Sequence, residues 1–283
     1  MSKKPESILE GDVKIPTLPS IYNEINETVE DPESSFTDIG RIISGDTSLS
    51  ARLLQIVNSS FYGFPSQIET ITHAVTIVGT AQLRDLILAT MVMSQFKGVP
   101  KDLVNMELFW SHSVACGLAA RIIAVYRREP NAERYYVTGI LHDLGRLVLF
   151  LNGTEQMKEV IDATQGGEVL VYDAERSIFG FDHADVGSAL LNKWGLSDRL
   201  GEVVCYHHRP REAPNYPLDA AIIHLADLIV HAMELGHSGE RFVPPLDPQA
   251  WDKIELPSSL MASIVEQLDR QYEDTIRMFL SDN

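Results

Sequence analysis

The sequence predicts an all-α protein, a multi-helix bundle, and three observations lead to that prediction. Apolar residues recur at intervals of three and four along most of the chain, which is the period of a helix that buries one face. The strict alternation of apolar and polar residues that is typical of a half-buried strand is scarce. Glycine, proline and capping residues interrupt the apolar runs at spacings typical of helix ends.

The first half is expected to form short amphipathic helices. They span 18–31, 35–46, 46–60 and two segments of 68–96 that are separated at Gly79. Ser35 is a candidate N-cap for the second helix, and Asp46 or Ser48 for the third, because such side chains accept hydrogen bonds from the free N–H groups of a first turn. The segment "GVPKD" at 98–102 carries glycine, proline and opposite charges, so we expect a domain boundary there.

Two helical domains follow from that boundary. Residues 12–97 form an N-terminal helical subdomain, and 102–283 form a second helical subdomain that carries the candidate site. The helices predicted in the second are 103–128, 132–152, two segments of 157–181 separated at Gly166-Gly167, 182–196 with Asp182 as its cap, 197–208, 217–235 and 257–280. The glycine- and proline-rich stretch 235–249 is expected to be an exposed loop.

Composition narrows the range of partners. The chain has 283 residues, is 45% hydrophobic and 22% charged, and carries a formal net charge of -17. Such an acidic surface repels nucleic acid and anionic membranes, although a small phosphorylated ligand stays compatible with it because bound metal ions reverse a local potential. Two cysteines make no disulfide framework, and no signal peptide or spanning segment is apparent, so we expect a cytoplasmic protein.

The stretch "GILHDLGRLVLF" at 139–150 places His142 and Asp143 in an otherwise apolar run. Buried charges are costly unless they are paired or bind a metal. Further histidines, with a second aspartate, occur on other helices of the same half: His112, His183, His207, His208 and Asp227. Helix bundles build metal sites from side chains on facing helices, and mixed His and Asp ligands suit one or two divalent ions of Fe, Mn or Zn.

Neighbouring residues on the same helices have simpler interpretations. Cys116 lies four residues after His112 and shares its helix face. A residue flanking a metal is one interpretation, and a buried apolar cysteine is the favoured one. His224 and His231 share a face with Asp227, but only Asp227 is taken as a ligand, and His231 is expected to be exposed.

The motifs resemble those of a known family. "HDLG" with an upstream histidine, then "HADVG", "YHH" and "LAD", is similar to the HD superfamily of metal-dependent phosphohydrolases. "IPTLPSIYNEI", "GDTSLSARLLQIVNSSFYG" and "ITHAVTIVGTAQLRDLIL" resemble the HDOD family, the HD-related output domain of bacterial signalling proteins. The resemblance covers roughly residues 12–235, with Thr47 where the family usually has proline. It implies an HD-domain-like helical core behind an N-terminal helical subdomain.

The resemblance also implies a ligand set. Relatives that carry a Gly-Tyr-Pro motif hydrolyse cyclic di-GMP, and their metal ligands fall on residues present in this chain. These are His112, His142, Asp143, His183, His207, His208 and Asp227. If the protein is an enzyme, Asp143 bridges two metals and Arg146 holds substrate phosphate, so these two residues are the catalytic candidates.

Four departures from the catalytic relatives bear on activity. Arg146 replaces the lysine that follows the His-Asp pair, and Leu108 replaces a glutamate that some relatives use for a third metal. Asn215 stands at the glycine of the Gly-Tyr-Pro motif, and Arg209 replaces the glutamate after the paired histidines. An arginine keeps the charge but changes the geometry of phosphate binding.

Two functions follow from these features. The first is a regulatory HDOD module of signal transduction, without catalysis, whose histidines form a hydrogen-bonded core or hold a metal. Its expected partners are signalling proteins of the kinase, response-regulator or nucleotide-cyclase type, and residues 12–97 are the natural place for that contact or for a lid over the ligands. The alternative is a di-metal phosphohydrolase acting on a nucleotide or a cyclic dinucleotide.

Overall fold

A computed structural model of the chain describes residues 4–10, 13, 15–59 and 61–280. These residues form α-helices joined by short loops and by three 3₁₀ helices, and none of them lies in a β-strand. The all-α prediction is therefore confirmed. The 3₁₀ helices are Pro5–Leu9, Pro210–Glu212 and Ser258–Leu260.

The chain forms two compact units. The large unit comprises Met1–Pro16 and Phe96–Val265, and the small unit comprises Thr17–Gln95 and Glu266–Asn283. The domain boundaries expected from the sequence, 12–97 and 102–283, stay a prediction. They differ from the compact units at the two ends of the chain, because each unit takes in a terminal segment that is remote in sequence from the rest of it.

The small unit is built from short helices over an apolar core. They are α1 (Ser20–Glu30), α2 (Phe36–Ser44), α3 (Thr47–Val57), α4 (Ile71–Val78) and α5 (Thr80–Gln95). Ser35 and Asp38 form a capping box at the start of α2, and the Asp46 carboxylate accepts from the Leu49 N–H at the start of α3. Gly79 has a φ of 98°, which ends α4 and allows the chain to turn into α5.

The large unit holds the remaining helices. They are α6 (Met106–Arg127), α7 (Ala132–Leu141), α8 (Leu144–Asn152), α9 (Thr154–Thr164), α10 (Val171–Phe179), α11 (His183–Lys193), α12 (Asp198–Tyr206), α13 (Pro217–Ala232), α14 (Pro248–Ile254) and the start of α15 (Met261–Leu280). Asp182 caps α11, as its position predicts, and its carboxylate accepts from the Asp185 N–H.

One predicted helix is two helices in the structure. The run 132–152 breaks between α7 and α8 at His142 and Asp143. Asp143 is the N-cap of α8, but its carboxylate makes no capping hydrogen bond. The apolar spacing continues across the break, so periodicity alone does not reveal that two polar side chains leave the helix there. The helix α14 and the 3₁₀ helix Pro5–Leu9 were not predicted either.

Glycines bring the helices of the large unit into close contact at two places. A Cβ on Gly139 of α7 would lie 2.5 Å from the Gly117 Cα of α6. A Cβ on Gly145 of α8 would lie 1.9 Å from the His183 carbonyl oxygen and 2.5 Å from the Gly187 nitrogen, both of α11. Only glycine permits backbones to approach this closely. The two crossings hold α6 and α11 against the break between α7 and α8.

The helix α6 is long and apolar enough to cross a membrane by length and composition, whereas the sequence led us to expect no such segment. Within the protein, 83% of the most apolar 18-residue stretch of this helix is buried. Its apolar residues are therefore used in packing, as in the core helix of a folded protein. The pair α4 and α5 passes the same test only when the two are taken together, and the chain bends by 115° between them.

Candidate metal centre

The structure brings together all seven predicted ligands, in the large unit. His112 lies on α6, His142 and Asp143 lie at the break between α7 and α8, and His183 begins α11. His207 and His208 follow α12, and Asp227 lies on α13. All are buried except His208, which is half-buried. Six helices, counting both α7 and α8 at the break, thus contribute to one polar cluster inside an apolar core.

The first group of ligands surrounds Asp227. Its Oδ1 lies 3.0 Å from His112 Nε2 and 3.7 Å from His142 Nε2. His231, one helical turn further along α13, places its Nε2 3.3 Å from the same oxygen. The expectation that His231 is exposed is wrong, because its side chain is only 11% exposed and lies beside the His112 ring.

The second group of ligands surrounds the Oδ1 atom of Asp143. His183 Nε2 lies 3.0 Å and His207 Nε2 3.9 Å from Asp143 Oδ1, and His208 Nε2 lies 2.9 Å from His183 Nε2. The ligand atoms of these four residues lie within 4.8 Å of one another. Asp143 Oδ2 faces the first group, 3.5 Å from His142 Nε2. The two oxygens of Asp143 therefore face different groups, as a bridging carboxylate would.

Backbone carbonyls orient the imidazoles. His142 Nδ1 donates to the Gly139 carbonyl at 2.6 Å, and His207 Nδ1 donates to the Val204 carbonyl at 2.7 Å. Because a carbonyl only accepts, each Nδ1 carries a hydrogen, and the neutral form of each ring therefore has its lone pair on Nε2. Both Nε2 atoms are buried and have no hydrogen-bond partner among the described residues. Hydrogen bonding to the far nitrogen is how proteins hold metal-ligating histidines, so these residues fit a metal ion.

Glu175 is a site residue that the sequence reasoning missed. Its Oε2 accepts from the His183 Nδ1 at 2.6 Å and from the His183 backbone N–H at 2.8 Å. The carboxylate is completely buried. The only sequence signal was its place on α10, the helix directly before the one that begins at His183. Glu175 leaves the Nε2 of His183 turned toward Asp143 and orients this ring as the carbonyls orient the other two.

Arg146 is buried inside the cluster. Its guanidinium lies 3.5 Å from Asp143 Oδ2 and 3.6 Å from Glu175 Oε1. One Nη donates to the Ser238 carbonyl, and the other lies 3.1 Å from His183 Nδ1 and 3.3 Å from His183 Nε2. Every side of the guanidinium therefore faces a group of the protein itself.

The segment 236–240, which we call the strap, lies against the cluster. The His237 N–H donates to the Leu108 carbonyl of α6 at 2.9 Å. Gly236 has a φ of 74°, and a Cβ there would lie 2.3 Å from the His112 nitrogen. Ser238 and Glu240 are buried, and Glu240 accepts from the Val171 N–H at 2.8 Å. The expectation of an exposed loop over 235–249 is wrong for this part, because glycine here permits close packing on α6.

Burial and neighbouring charges shift the protonation of the ligands. Burial lowers the pKa of His112 to about 4, although Asp227 opposes this shift. Burial would raise the pKa of Asp143, but Arg146 and the imidazolium forms of neighbouring histidines hold it well below its usual value. Asp143 is therefore a carboxylate and His112 a neutral imidazole at neutral pH, which are the forms that bind a metal ion.

Two positions where the sequence departs from the catalytic relatives lie outside the cluster. Asn215 uses its backbone N–H and side-chain amide to bind the Glu202 carboxylate, at 2.7 and 2.8 Å. The Arg209 guanidinium lies 3.6 Å from Asp185 and 3.8 Å from Asp182. Both residues are engaged in local ion pairs or hydrogen bonds around α12.

Solved structures share this architecture. An HDOD domain protein of unknown function from Geobacter sulfurreducens matches with a TM-score of 0.82 and 24% identity, over 98% of this chain and 97% of that chain. A candidate phosphohydrolase from Shewanella amazonensis SB2B matches with a TM-score of 0.72 and 22% identity, over 94% of each chain. At these identities the likeness shows the fold.

Sequence comparison identifies the family. An uncharacterised protein of Treponema pallidum (strain Nichols) is 29% identical over 203 residues, which are 71% of this chain and 39% of that protein. The chain thus matches well under half the length of this curated relative. Residues 15–210, more than half of the chain, match the HDOD domain. With the all-helical fold and the His-Asp cluster in place, the chain belongs to the HDOD domain family.

Proposed function

We propose that this protein is a regulatory module of signal transduction that holds one divalent metal ion in its core and does not hydrolyse phosphodiesters. The observation that carries this proposal is the position of Arg146. Its guanidinium contacts Asp143, Glu175, His183 and the Ser238 carbonyl, and its side chain is only 3% exposed. A cation that is already enclosed by protein groups is not free to hold the phosphate of a substrate.

The same arginine favours one ion over two. A divalent ion in the second group would bind His183 Nε2, which lies 3.3 Å from the Arg146 guanidinium. Like charges this close repel strongly in a buried site. In the first group the guanidinium contacts a carboxylate oxygen, Asp143 Oδ2 at 3.5 Å, rather than an imidazole nitrogen, so its charge is partly balanced there. The ion therefore binds in the first group, held by His112, His142, Asp227 and Asp143, and it ties α6 and α13 to the break between α7 and α8.

The family, rather than the site, supports a role in signalling. The proposed partners are signalling proteins of the kinase, response-regulator or nucleotide-cyclase type. The proposed location of this interaction is the cytoplasm. With a formal net charge of -17, long-range attraction favours a partner that presents a basic surface. A small phosphorylated ligand would have to bind outside the enclosed cluster.

The alternative is a di-metal phosphohydrolase. The complete set of seven ligands and the likeness to the candidate phosphohydrolase of Shewanella amazonensis support it. Metal ions would supply an activated water and polarise a phosphoryl oxygen. This function requires the strap to move away and Arg146 to exchange its internal partners for phosphate.

Metal analysis with a hydrolysis assay separates the two functions. Protein purified without chelator is analysed for bound metals, then offered bis(p-nitrophenyl) phosphate and cyclic dinucleotides with added Mn²⁺ or Fe²⁺. We expect about one ion per chain and no hydrolysis above that of a matched Asp143→Ala variant. Two ions per chain, with hydrolysis that Asp143→Ala abolishes and His73→Ala retains, would overturn the regulatory proposal. His73 is a suitable control because it is exposed and lies in the small unit.

A further inference from the structure

A buried cysteine lies beside the first group of ligands. Cys116 follows His112 by one helical turn on α6, and its side chain is completely buried. The glycine crossing of α6 and α7, at the next residue, holds this part of α6 against the helix that ends at His142. As a result the Cys116 Sγ, a ring nitrogen of His142 and a carboxylate oxygen of Asp227 lie within 4.8 Å of one another.

A second observation points to a ligand at this place. His142 Nε2 is buried and has no hydrogen-bond partner among the described residues, while Nδ1 of the same ring donates to the Gly139 carbonyl. A buried ring nitrogen without a hydrogen-bond partner is costly, and the neutral form of the ring presents a lone pair there. A lone pair, a carboxylate and a sulfur that converge on one point are electron donors that a metal cation satisfies together.

We propose that Cys116 Sγ is a thiolate ligand of the metal ion in the first group, beside His142 and Asp227. This inference rests on the metal-binding part of the proposed function. Binding breaks the S–H bond and forms an Sγ–metal bond, and the proton passes to solvent, so no oxidant or reductant is needed.

The thiolate restricts the choice of metal. Sulfur, nitrogen and carboxylate donors together suit ions of borderline softness such as Zn²⁺, Fe²⁺ and Co²⁺, whereas Mn²⁺ and Mg²⁺ prefer oxygen-rich sites. The set His, Asp and Cys therefore selects zinc or ferrous iron over manganese. A site built only from the histidines and aspartates of the first group would not make this distinction so sharply.

Cobalt spectroscopy tests the inference directly. The full-length protein is stripped of metal under reducing conditions and titrated with Co²⁺, and its absorption spectrum is recorded. We expect a sulfur-to-cobalt charge-transfer band in the near ultraviolet, which is absent from Cys116→Ser and kept in Cys205→Ser. Cys205 is a matched control because its Sγ lies 3.7 Å from Asp185 Oδ1, outside the ligand groups.

Each outcome has a definite meaning. Cobalt bound by the unmodified protein without a sulfur band overturns this inference alone, and so does a band that disappears in Cys205→Ser. No cobalt bound at all overturns the metal-binding part of the proposed function as well. The spectrum of the unmodified protein decides the matter even if Cys116→Ser folds poorly. In a folded Cys116→Ser or Cys116→Ala variant, zinc affinity should fall roughly tenfold or more while manganese affinity stays unchanged.

Discussion

The cores of the two compact units differ in the polar side chains that they bury. Among the described residues, the buried polar side chains of the small unit are Thr90 and Thr275, and each hydroxyl donates to a carbonyl one turn earlier. The large unit buries two aspartates, a glutamate, an arginine and several histidines around one point. An apolar core needs no such residues, so the large unit keeps a costly cluster that stability alone does not explain.

The helix contacts differ in the same way. In the small unit a Cβ on Gly40 would lie 2.8 Å from the Thr72 Oγ1, which is the end of a side chain. In the large unit a Cβ on Gly145 would lie 1.9 Å from a backbone carbonyl. Side chains adjust and backbones do not, so the helices that carry the ligands are held more rigidly than those of the small unit.

The largest expected effect is that of Gly145→Ala. Because the new Cβ would overlap the His183 carbonyl, the helices α8 and α11 must separate, and we expect a loss of more than about 4 kcal/mol in the free energy of unfolding. The matched control is Gly40→Ala in the small unit, for which overpacking against a side chain costs about 1–3 kcal/mol. Urea unfolding followed by circular dichroism measures both. Equal losses would show that the two crossings are alike.

Arg146→Met is expected to cause the next largest loss in the free energy of unfolding. It leaves Asp143 and Glu175 without their buried cation, and breaking a buried ion pair costs about 3–5 kcal/mol. Arg41→Met serves as the control, since Arg41 is exposed and pairs with Asp38 on the surface. We expect no measurable loss for that variant. An Arg146→Met protein as stable as the original would mean that the enclosed cation contributes nothing to the fold.

Removal of the metal should affect the thermal stability of the two units differently. Chelation is expected to lower the unfolding temperature of the large unit and leave the small unit unchanged. A ligand present at about a hundred times its dissociation constant stabilises the folded state by about 2.7 kcal/mol. Differential scanning calorimetry with and without chelator measures the shift. Equal shifts in both transitions, or none in either, would contradict a metal site confined to the large unit.

Glu175→Gln is expected to cost about 1–3 kcal/mol, because the amide keeps its size but weakens the hydrogen bonds that a carboxylate accepts from His183. Glu24→Gln, at an exposed position of α1, provides the control. Chemical denaturation again measures the difference. The His183 ring signals in a nuclear magnetic resonance spectrum would move in the Glu175 variant only, and an unmoved ring would argue against the positioning role.

The last prediction concerns pH, and its effect is confined to acid conditions. In metal-free protein the pKa of His112 is lowered to about 4, from 6.5 in the unfolded chain. At this one residue the folded state then binds fewer protons than the unfolded state between these values. The stability that neutral His112 contributes is therefore fully present above pH 6.5 and is lost as the pH falls toward 4. His112→Asn should make the decline of the urea midpoint over this window shallower. His73→Asn should not, since that residue is exposed.

Much of the fold was predictable because it depends on local spacing. Helical periodicity and capping residues such as Ser35, Asp46 and Asp182 predict most of the helices. The break at His142 and Asp143 was not predictable in this way, since the apolar pattern runs through it. The strap was also mispredicted, because the rule that glycine-rich segments are exposed does not foresee that Gly236 packs on α6.

The sequence by itself determined the all-helical class, the family and the seven candidate ligands, because period, motifs and residue types are written along the chain. The tertiary structure decided what surrounds those ligands. Glu175, the strap and the glycine crossings lie far from one another in sequence, and only packing brings them to the same point. The tertiary structure also enclosed Arg146 and placed Cys116 beside His142 and Asp227, because the direction in which a side chain points depends on how the helices cross.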